Sequence, residues 1–140
     1  MSRHDGYREL GREECLRLLA RVPVGRVVFT RQALPAILPV NFCLDGDGAV
    51  ILRTSAASAL VRAIDGAVVA FEADDVDAAR HSGWSVIVTG GAAVVTDAAE
   101  QRRLRREGPQ SWAASPGDVF VRIGSELVTG RAFSPERGAA

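Results

Sequence analysis

The stretch GWSVIVTGGAAVVTD, residues 83–97, carries the longest β-strand signal in the chain. Successive side chains of a strand point to opposite faces, so Trp84, Val86 and Val88 share one face of this predicted strand. The Gly-Gly pair in the middle of the stretch indicates a bulge or a sharp bend, as where a strand turns the corner of a barrel. The stretch therefore predicts a long strand that is bent or bulged at Gly90-Gly91.

Five further stretches have the β-branched and aromatic composition that is typical of strands. They are GRVVFTR (25–31), PAILPVNFCL (35–44), AVILRT (49–54), AVVAFEAD (67–74) and VFVRIGSELVTGRAF (119–133), the last of which is one strand or a hairpin. The sequence DGDG at residues 45–48 is a hairpin signal, because glycine accepts positive φ at low cost. Pro35 and Pro39 cannot donate ladder hydrogen bonds, so their strand is expected to have an unpaired edge or a break near Pro39.

Three short helices are expected between the strands, over residues 13–22, 56–65 and 97–107. The first has an apolar face, and the third opens with Asp97 and Glu100 in the arrangement of a capping box. Hairpin-style turns dominate and no clear βαβ alternation is present. The pattern favours a mainly β fold, a closed or nearly closed antiparallel barrel with helices on its rim, and a two-sheet sandwich is the alternative.

The composition is that of one folded domain. The chain has 140 residues, is 47% hydrophobic and has a formal net charge of zero, which argues against nucleic-acid binding through bulk charge. We expect a flexible N-terminus over residues 1–10, the domain over residues 11–133 and a disordered tail over residues 134–140. Neither a signal peptide nor a run of membrane-spanning length is recognisable, so a soluble cytoplasmic protein is expected.

No residue pattern points to a hydrolytic, metal-dependent or Rossmann-type enzyme. The two cysteines lie far apart and no His, Cys or carboxylate cluster has ligand spacing, so no metal site is expected. The motifs G-x-S-x-G, G-x-G-x-x-G and G-x-x-x-x-G-K-[ST] are missing. The catalytic residues stay unassigned, and Arg80 and His81 are kept as the candidates for a protein acid or base.

The segment ILRTSAASALVRAI, residues 51–64, runs from the end of a strand into a helix and carries Arg53, Thr54, Ser55 and Ser58. An anion at this point would gain a guanidinium, hydroxyl donors and the N–H groups of the helix start. In the alternative interpretation, Thr54 or Ser55 caps the helix and Arg53 points to water. Spacing alone leaves both interpretations open.

Several stretches, in order, resemble the pyridoxamine 5'-phosphate oxidase-like family of flavin-binding split barrels, in its short bacterial variant. They are GRVVFT, PAILPVNF, DGDGAVILRTSAASAL, VVAFEADD and GWSVIVTGGAAVVTD. The resemblance covers residues 12–133. It implies a six-stranded antiparallel split β-barrel with short peripheral helices, and a homodimer with two flavin sites at the subunit interface. The implied cofactor is FMN, or the deazaflavin F420.

The resemblance also implies the cofactor contacts. Arg53, Thr54 and Ser58 match phosphate contacts. Pro39, Val40 and Asn41 match the strand that lines the isoalloxazine ring. Trp84 and Ser85 match a segment that reaches the flavin from the partner subunit. Many relatives carry a cation directly after the position of Ser58, where this chain has Ala59 and Leu60, and Arg62 one turn on would compensate.

The function implied is hydride or electron transfer between the flavin and a small organic substrate. Two alternatives stand beside it. One is a non-catalytic flavin or haem-binding carrier or sensor. The other is a dimeric interaction protein with a degenerate site, which the missing cation after Ser58 favours.

Overall fold

The computed structural model describes residues 3–4, 6–112 and 117–135, which form nine strands and three helices. The strands are β1 (Arg3–His4), β2 (Tyr7–Leu10), β3 (Val24–Arg31), β4 (Leu34–Leu44), β5 (Val50–Ser55), β6 (Val68–Asp77), β7 (Ser82–Val94), β8 (Asp118–Ile123) and β9 (Leu127–Phe133). The helices are α1 (Arg12–Leu19), α2 (Ala59–Ile64) and α3 (Ala98–Glu107).

Six of these strands close into a barrel. They follow the order β7-β6-β3-β4-β5-β8, each neighbouring pair is antiparallel, and β8 pairs again with β7. Strands β9, β2 and β1 continue the sheet from β7 outside the closed ring. The closure confirms the predicted six-stranded antiparallel split barrel and excludes the two-sheet sandwich.

Strand β7 takes part in both portions of the sheet by bending at its glycine pair. It pairs with β9 as far as Thr89 and with β8 from Ala92 onward. At Gly90 a Cβ atom would lie 1.7 Å from the carbonyl oxygen of Gly124, so only glycine fits this approach of two backbones. The predicted bend is therefore confirmed, and its cause is close contact with the segment that follows β8.

The barrel interior holds the core, as the alternation in β7 predicts. Val86 and Val88 are fully buried and Trp84 packs against the same cluster, whereas Ile87 on the opposite face is 44% exposed. Phe71 of β6 is fully buried beside them and makes an edge contact with Phe42, with ring centroids 4.7 Å apart. The core thus ties the two halves of the barrel together.

An ion-pair network fixes helix α3 and the β4–β5 hairpin to β8. The Asp45 carboxylate accepts hydrogen bonds from Arg103 at 2.9 Å and from Arg122 at 2.5 Å, and Glu100 pairs with both arginines. The hydrogen bond from Arg103 and then that from Arg122 lower the pKa of Asp45 to about 2, against the opposing effect of burial. Arg103 therefore has a structural partner on the hairpin.

The structure confirms the predicted start of helix α3 but not the predicted end of helix α1. The side chain of Asp97 accepts a hydrogen bond from the amide of Glu100 at 2.9 Å, so α3 begins as predicted. Helix α1 ends at Leu19 rather than at Val22, because the chain turns before Pro23. None of the helices within the described ranges is long and apolar enough to span a bilayer.

Helix α2 spans Ala59–Ile64 rather than the predicted residues 56–65, and three strand assignments also differ from the sequence prediction. Tyr7–Leu10, within the stretch expected to be a flexible N-terminus, form strand β2 against β9; residues 1, 2 and 5 lie outside the described residues. Strand β6 continues to Asp77, beyond the predicted stretch that ends at Asp74, because Asp74–Asp77 pair with β7. The last stretch forms two strands with different neighbours rather than one strand or hairpin. Of the expected tail, residues 136–140 lie outside the described residues.

Candidate functional site

A cleft opens where strands β4 and β5 separate. Their pairing covers residues 42–44 of β4 and 50–52 of β5; among the described strands, residues 34–41 of β4 pair with β3 alone and residues 53–55 of β5 with β8 alone. Residues 39–41 therefore form one lip of the cleft and residues 53–55 the other. Pro39 lacks an amide hydrogen, which contributes to the loss of pairing, and the predicted unpaired edge near this residue is confirmed.

The loop after α3 links the two lips. Arg53 Nη1 donates to the carbonyl oxygen of Pro109 at 3.4 Å, and the amide of Trp112 donates to Asn41 Oδ1 at 3.3 Å. A groove of about 270 Å³ lies beside this loop, lined by Val24, Pro39, Val40, Asn41 and Trp112. The structure thus brings Pro39, Val40, Asn41 and Arg53, all predicted from the sequence, to one end of the barrel.

Arg53 is held in place by an acid and an aromatic ring. Its Nε donates to Asp118 Oδ2 at 3.2 Å, and its guanidinium lies 5.4 Å from the centroid of the Phe120 ring. The arginine side chain is 26% exposed, and the Asp118 side chain only 7%. Its Nη2 has no protein partner within the described ranges. The guanidinium is thus oriented by the protein with one donor group left over, which corrects the alternative in which it points to water.

The hydroxyls near the end of β5 have local partners. Ser58 Oγ accepts a hydrogen bond from the amide of Val61 at 3.3 Å and caps α2, and Ser55 Oγ accepts from the amide of Ala57 at 3.3 Å. The cap is therefore Ser58, not Thr54 or Ser55 as the alternative proposed. A hydroxyl that accepts an amide hydrogen still has its own proton to donate. Ser58 can therefore both cap α2 and donate to an anion.

The positions after Ser58 supply no cation. Ala59 opens α2 and Leu60 is buried in the core, whereas Arg62 is exposed. Helix α2 has six residues, so its dipole is short. The electrostatic attraction for an anion at this point comes from arginine side chains more than from the helix.

Trp84 and Ser85 do not meet the cleft within one chain. They lie on β7, which is separated from β4 by β6 and β3 on one side of the barrel and by β8 and β5 on the other. Arg80 and His81 lie in the exposed turn between β6 and β7, where His81 has a φ of 51°. The structure of one chain therefore places none of these four predicted residues beside Arg53.

A half-buried carboxyl pair lies on the outer face of the sheet, next to the β4 lip. Arg26 is the register partner of both Pro39 and Glu72, and its Nη1 lies 3.3 Å from Glu72 and 3.4 Å from Asp74. Burial, and then the hydrogen bond and negative charge of Asp74, raise the pKa of Glu72 to about 7, although Arg26 acts in the opposite direction. Glu72 is thus a group that titrates near neutral pH.

Trp112 is a candidate site residue that the sequence analysis did not single out. It lines the groove and is 69% exposed, which is unusual for so large an apolar side chain. A tryptophan in a loop rich in Gly, Pro and Ser was the available signal. Among the described residues, no three His, Cys, Asp or Glu side chains converge as a metal-binding group.

Comparison with known proteins finds similarity along most of the chain. Residues 11–132 match a family model described as pyridoxamine 5'-phosphate oxidase. The uncharacterized protein Rv0080 of Mycobacterium tuberculosis is 51% identical over 127 residues, which cover 87% of this chain and 82% of that protein. A FAD binding protein from Mycobacterium smegmatis has a TM-score of 0.81 and 37% identity, covering 91% of this chain and 98% of its own. A conserved protein of unknown function, DIP1874 from Corynebacterium diphtheriae, has a TM-score of 0.77 and 36% identity, covering 92% of this chain and 99% of its own.

Proposed function

Because the chain belongs to the pyridoxamine 5'-phosphate oxidase family, we propose that it binds a flavin nucleotide in the β4–β5 cleft and acts as a flavin-dependent oxidoreductase. One observation carries the proposal. The loop at residues 109–112 joins Arg53 on one lip to Asn41 on the other, and so builds one site from two segments that the sequence assigned to different parts of the cofactor.

The donor set of the cleft fits the phosphate of a flavin. Arg53 offers its Nη2 in an orientation fixed by Asp118 and Pro109, which reduces the entropy lost when it binds an anion. Thr54 and Ser58 offer hydroxyl protons at the same end of β5. A guanidinium and hydroxyl donors at one end of a strand have the chemistry of an anion site.

The other lip fits a flat aromatic ring. Pro39, Val40 and Asn41 present an edge of β4 that is not paired with β5, and Trp112 offers an exposed indole beside them. Aromatic rings gain free energy from stacking beyond the area that they bury. When bound, a flavin supplies hydride or electron transfer, and the residues of this lip hold and orient its ring.

The preferred flavin depends on charge. Asp118 offsets part of the Arg53 charge, and no cation follows Ser58. The sequence leads us to expect FMN, with F420 as the alternative, and the similar protein of M. smegmatis is described as binding FAD. All three are therefore candidate cofactors.

A homodimer completes the proposed site. Trp84 and Ser85 cannot approach the cleft of their own chain, so a role for them at the flavin requires a second copy. The outer face of the sheet offers a surface for it, since Ile37 is 65% exposed, Leu127 58% and Ile87 44%. Burial of such apolar side chains in a symmetric interface is favourable. The physiological substrate is proposed to be a small organic molecule that reaches the flavin at this interface.

A non-catalytic flavin carrier or sensor is the second candidate. It is favoured by the position of His81 and Arg80, which lie in an exposed turn away from Arg53, so that neither can serve the cleft of the same chain as an acid or base. A carrier binds the flavin but does not turn over a reductant, and NAD(P)H or reduced F420 distinguishes the two functions.

Flavin titration tests the proposal. FMN, FAD and F420 are each added to the purified protein, and binding is followed by flavin absorption and by quenching of tryptophan fluorescence. We expect at least one to bind, and we expect Arg53→Ala to weaken its affinity about 10- to 100-fold, the range for one charge-assisted hydrogen bond.

Arg105→Ala is the matched control, because Arg105 is an exposed arginine of α3 outside the cleft. It should leave the affinity unchanged. If none of the three flavins binds, or if Arg53→Ala and Arg105→Ala give the same affinity in folded protein, the proposed site is wrong.

A further inference from the structure

A second groove lies between the end of β3 and helix α2. It has a volume of about 310 Å³ and is lined by Thr30, Arg31, Gln32, Ala59, Arg62 and Ala63. We call it the β3–α2 groove. Ala59 directly follows Ser58, the residue that caps α2 and that belongs to the proposed phosphate site. The groove therefore begins where that site ends.

The β3–α2 groove carries two arginines without protein partners. Arg31 and Arg62 are exposed, and neither makes a hydrogen bond or ion pair with another residue in the described ranges. Helix α2 has no carboxylate along its length, and Asp65 at its end accepts a hydrogen bond from the amide of Val94 at 3.0 Å. Arg31 and Arg62 thus contrast with Arg53, Arg103 and Arg122, which are all paired with carboxylates.

The turn at the lip of the groove has an unfavourable backbone conformation. Gln32 and Ala33 have φ values of 53° and 64°, a region that residues other than glycine and asparagine seldom occupy. Two-residue hairpins with this geometry usually contain Asn-Gly. The turn thus has a backbone conformation that is unfavourable for Gln32 and Ala33. Arg31 and Gln32, at this turn, line the groove.

We propose that the β3–α2 groove binds a second anionic group on the tail of the flavin, beyond the phosphate that lies at Arg53 and Ser58. This inference rests on the proposed function and extends it, because it distinguishes between the candidate cofactors. FMN ends at its first phosphate. FAD carries a second phosphate, and F420 carries carboxylates in its glutamate tail, so both offer the chemistry that two guanidiniums recognise.

The cations of the groove lie beyond the position directly after Ser58. Arg62 follows one turn later on α2 and Arg31 lines the groove from the end of β3. A guanidinium can grip a phosphate or carboxylate through two parallel hydrogen bonds. The Thr30 hydroxyl and the Gln32 amide add neutral donors at the same lip.

The test compares three flavins against two single variants. Equilibrium dissociation constants for FMN, FAD and F420 are measured for the wild type, Arg31→Ala and Arg62→Ala, and for the exposed arginine controls Arg17→Ala and Arg105→Ala. We expect FAD or F420 to bind at least tenfold more tightly than FMN. Each groove variant should weaken that tail-bearing flavin about tenfold and change FMN less than twofold, while the controls change neither. The FAD and F420 arms identify whether phosphate or carboxylate is the group bound.

Two results overturn the inference while flavin binding itself stands. In one, Arg31→Ala and Arg62→Ala leave FAD and F420 affinities at wild-type values. In the other, they weaken FMN as much as the larger cofactors, which would make them general contributors of charge. If the wild type binds none of the three, the proposed function is wrong and the inference is wrong with it. Both arginines are exposed, so the variants are expected to fold, and circular dichroism checks this.

Discussion

Replacement of Glu72 by Gln should remove a pH dependence of stability that the wild type shows near neutral pH. Burial and Asp74 raise the pKa of Glu72 from 4.5 to about 7 in the folded protein. Between these two values the folded chain binds more protons than the unfolded chain, so the free energy of unfolding falls as the pH rises. The stabilisation that the folded chain gains from the protonated Glu72 carboxyl is complete below pH 4.5 and is lost as the pH rises through about 7.

The size of this effect follows from the pKa difference. At about 1.4 kcal/mol per pH unit, the interval from 4.5 to about 7 corresponds to about 3 kcal/mol. One quarter of the Glu72 side chain is exposed, so solvent screening reduces the measurable effect to about 1–2 kcal/mol. A glutamine side chain at this position keeps the size and a hydrogen-bonding group but does not titrate.

Urea unfolding at pH 5.5 and pH 8.0 measures the effect. The wild type should lose about 1–2 kcal/mol more between these pH values than Glu72→Gln does. Glu107→Gln, which changes an exposed carboxylate of α3, is the control and should follow the wild type. Parallel pH dependences for the wild type and Glu72→Gln would refute the assignment of a raised pKa to this carboxyl.

Three further predictions concern the bend, the ion-pair network and the cleft. Gly90→Ala should lower the free energy of unfolding by about 3 kcal/mol or more in thermal or urea unfolding, because its Cβ meets a carbonyl oxygen at 1.7 Å, whereas Gly91→Ala, whose nearest atom is 3.9 Å away, should cost much less. Equal costs would contradict the close approach. Asp45→Asn should lower stability at pH 7 by about 1–2 kcal/mol, and the difference from wild type should shrink as the pH falls from about 4 toward 2 and the wild-type carboxyl is protonated. Trp112→Ala should weaken flavin binding about 3- to 10-fold in fluorescence titration, and an unchanged affinity would exclude stacking at this residue.

Much of the barrel could be predicted because its signals are local. The DGDG turn, the cap at Asp97 and the alternation along β7 each specify a few neighbouring residues, and all three are confirmed. Strand β2 was not predicted, because the sequence of Tyr7–Leu10 has no clear alternation of apolar and polar residues. Its conformation depends on pairing with β9, more than a hundred residues away in sequence.

The candidate site could be predicted only in part, for the same reason. The sequence singled out Arg53 as a phosphate ligand, but its partners Asp118 and Pro109 lie 65 and 56 residues away. No spacing rule connects such positions. Trp112 and the groove at Arg31 and Arg62 likewise arise from the tertiary fold, which places the loop after α3 over the cleft and the β3–β4 turn beside α2.

A crystal structure of the protein with its tightest-binding flavin tests the central claim most directly. The account predicts a phosphate oxygen within hydrogen-bond distance of Arg53 Nη2 and an isoalloxazine ring against residues 39–41. A flavin bound elsewhere on the chain, with the cleft between β4 and β5 closed by protein side chains, would contradict it.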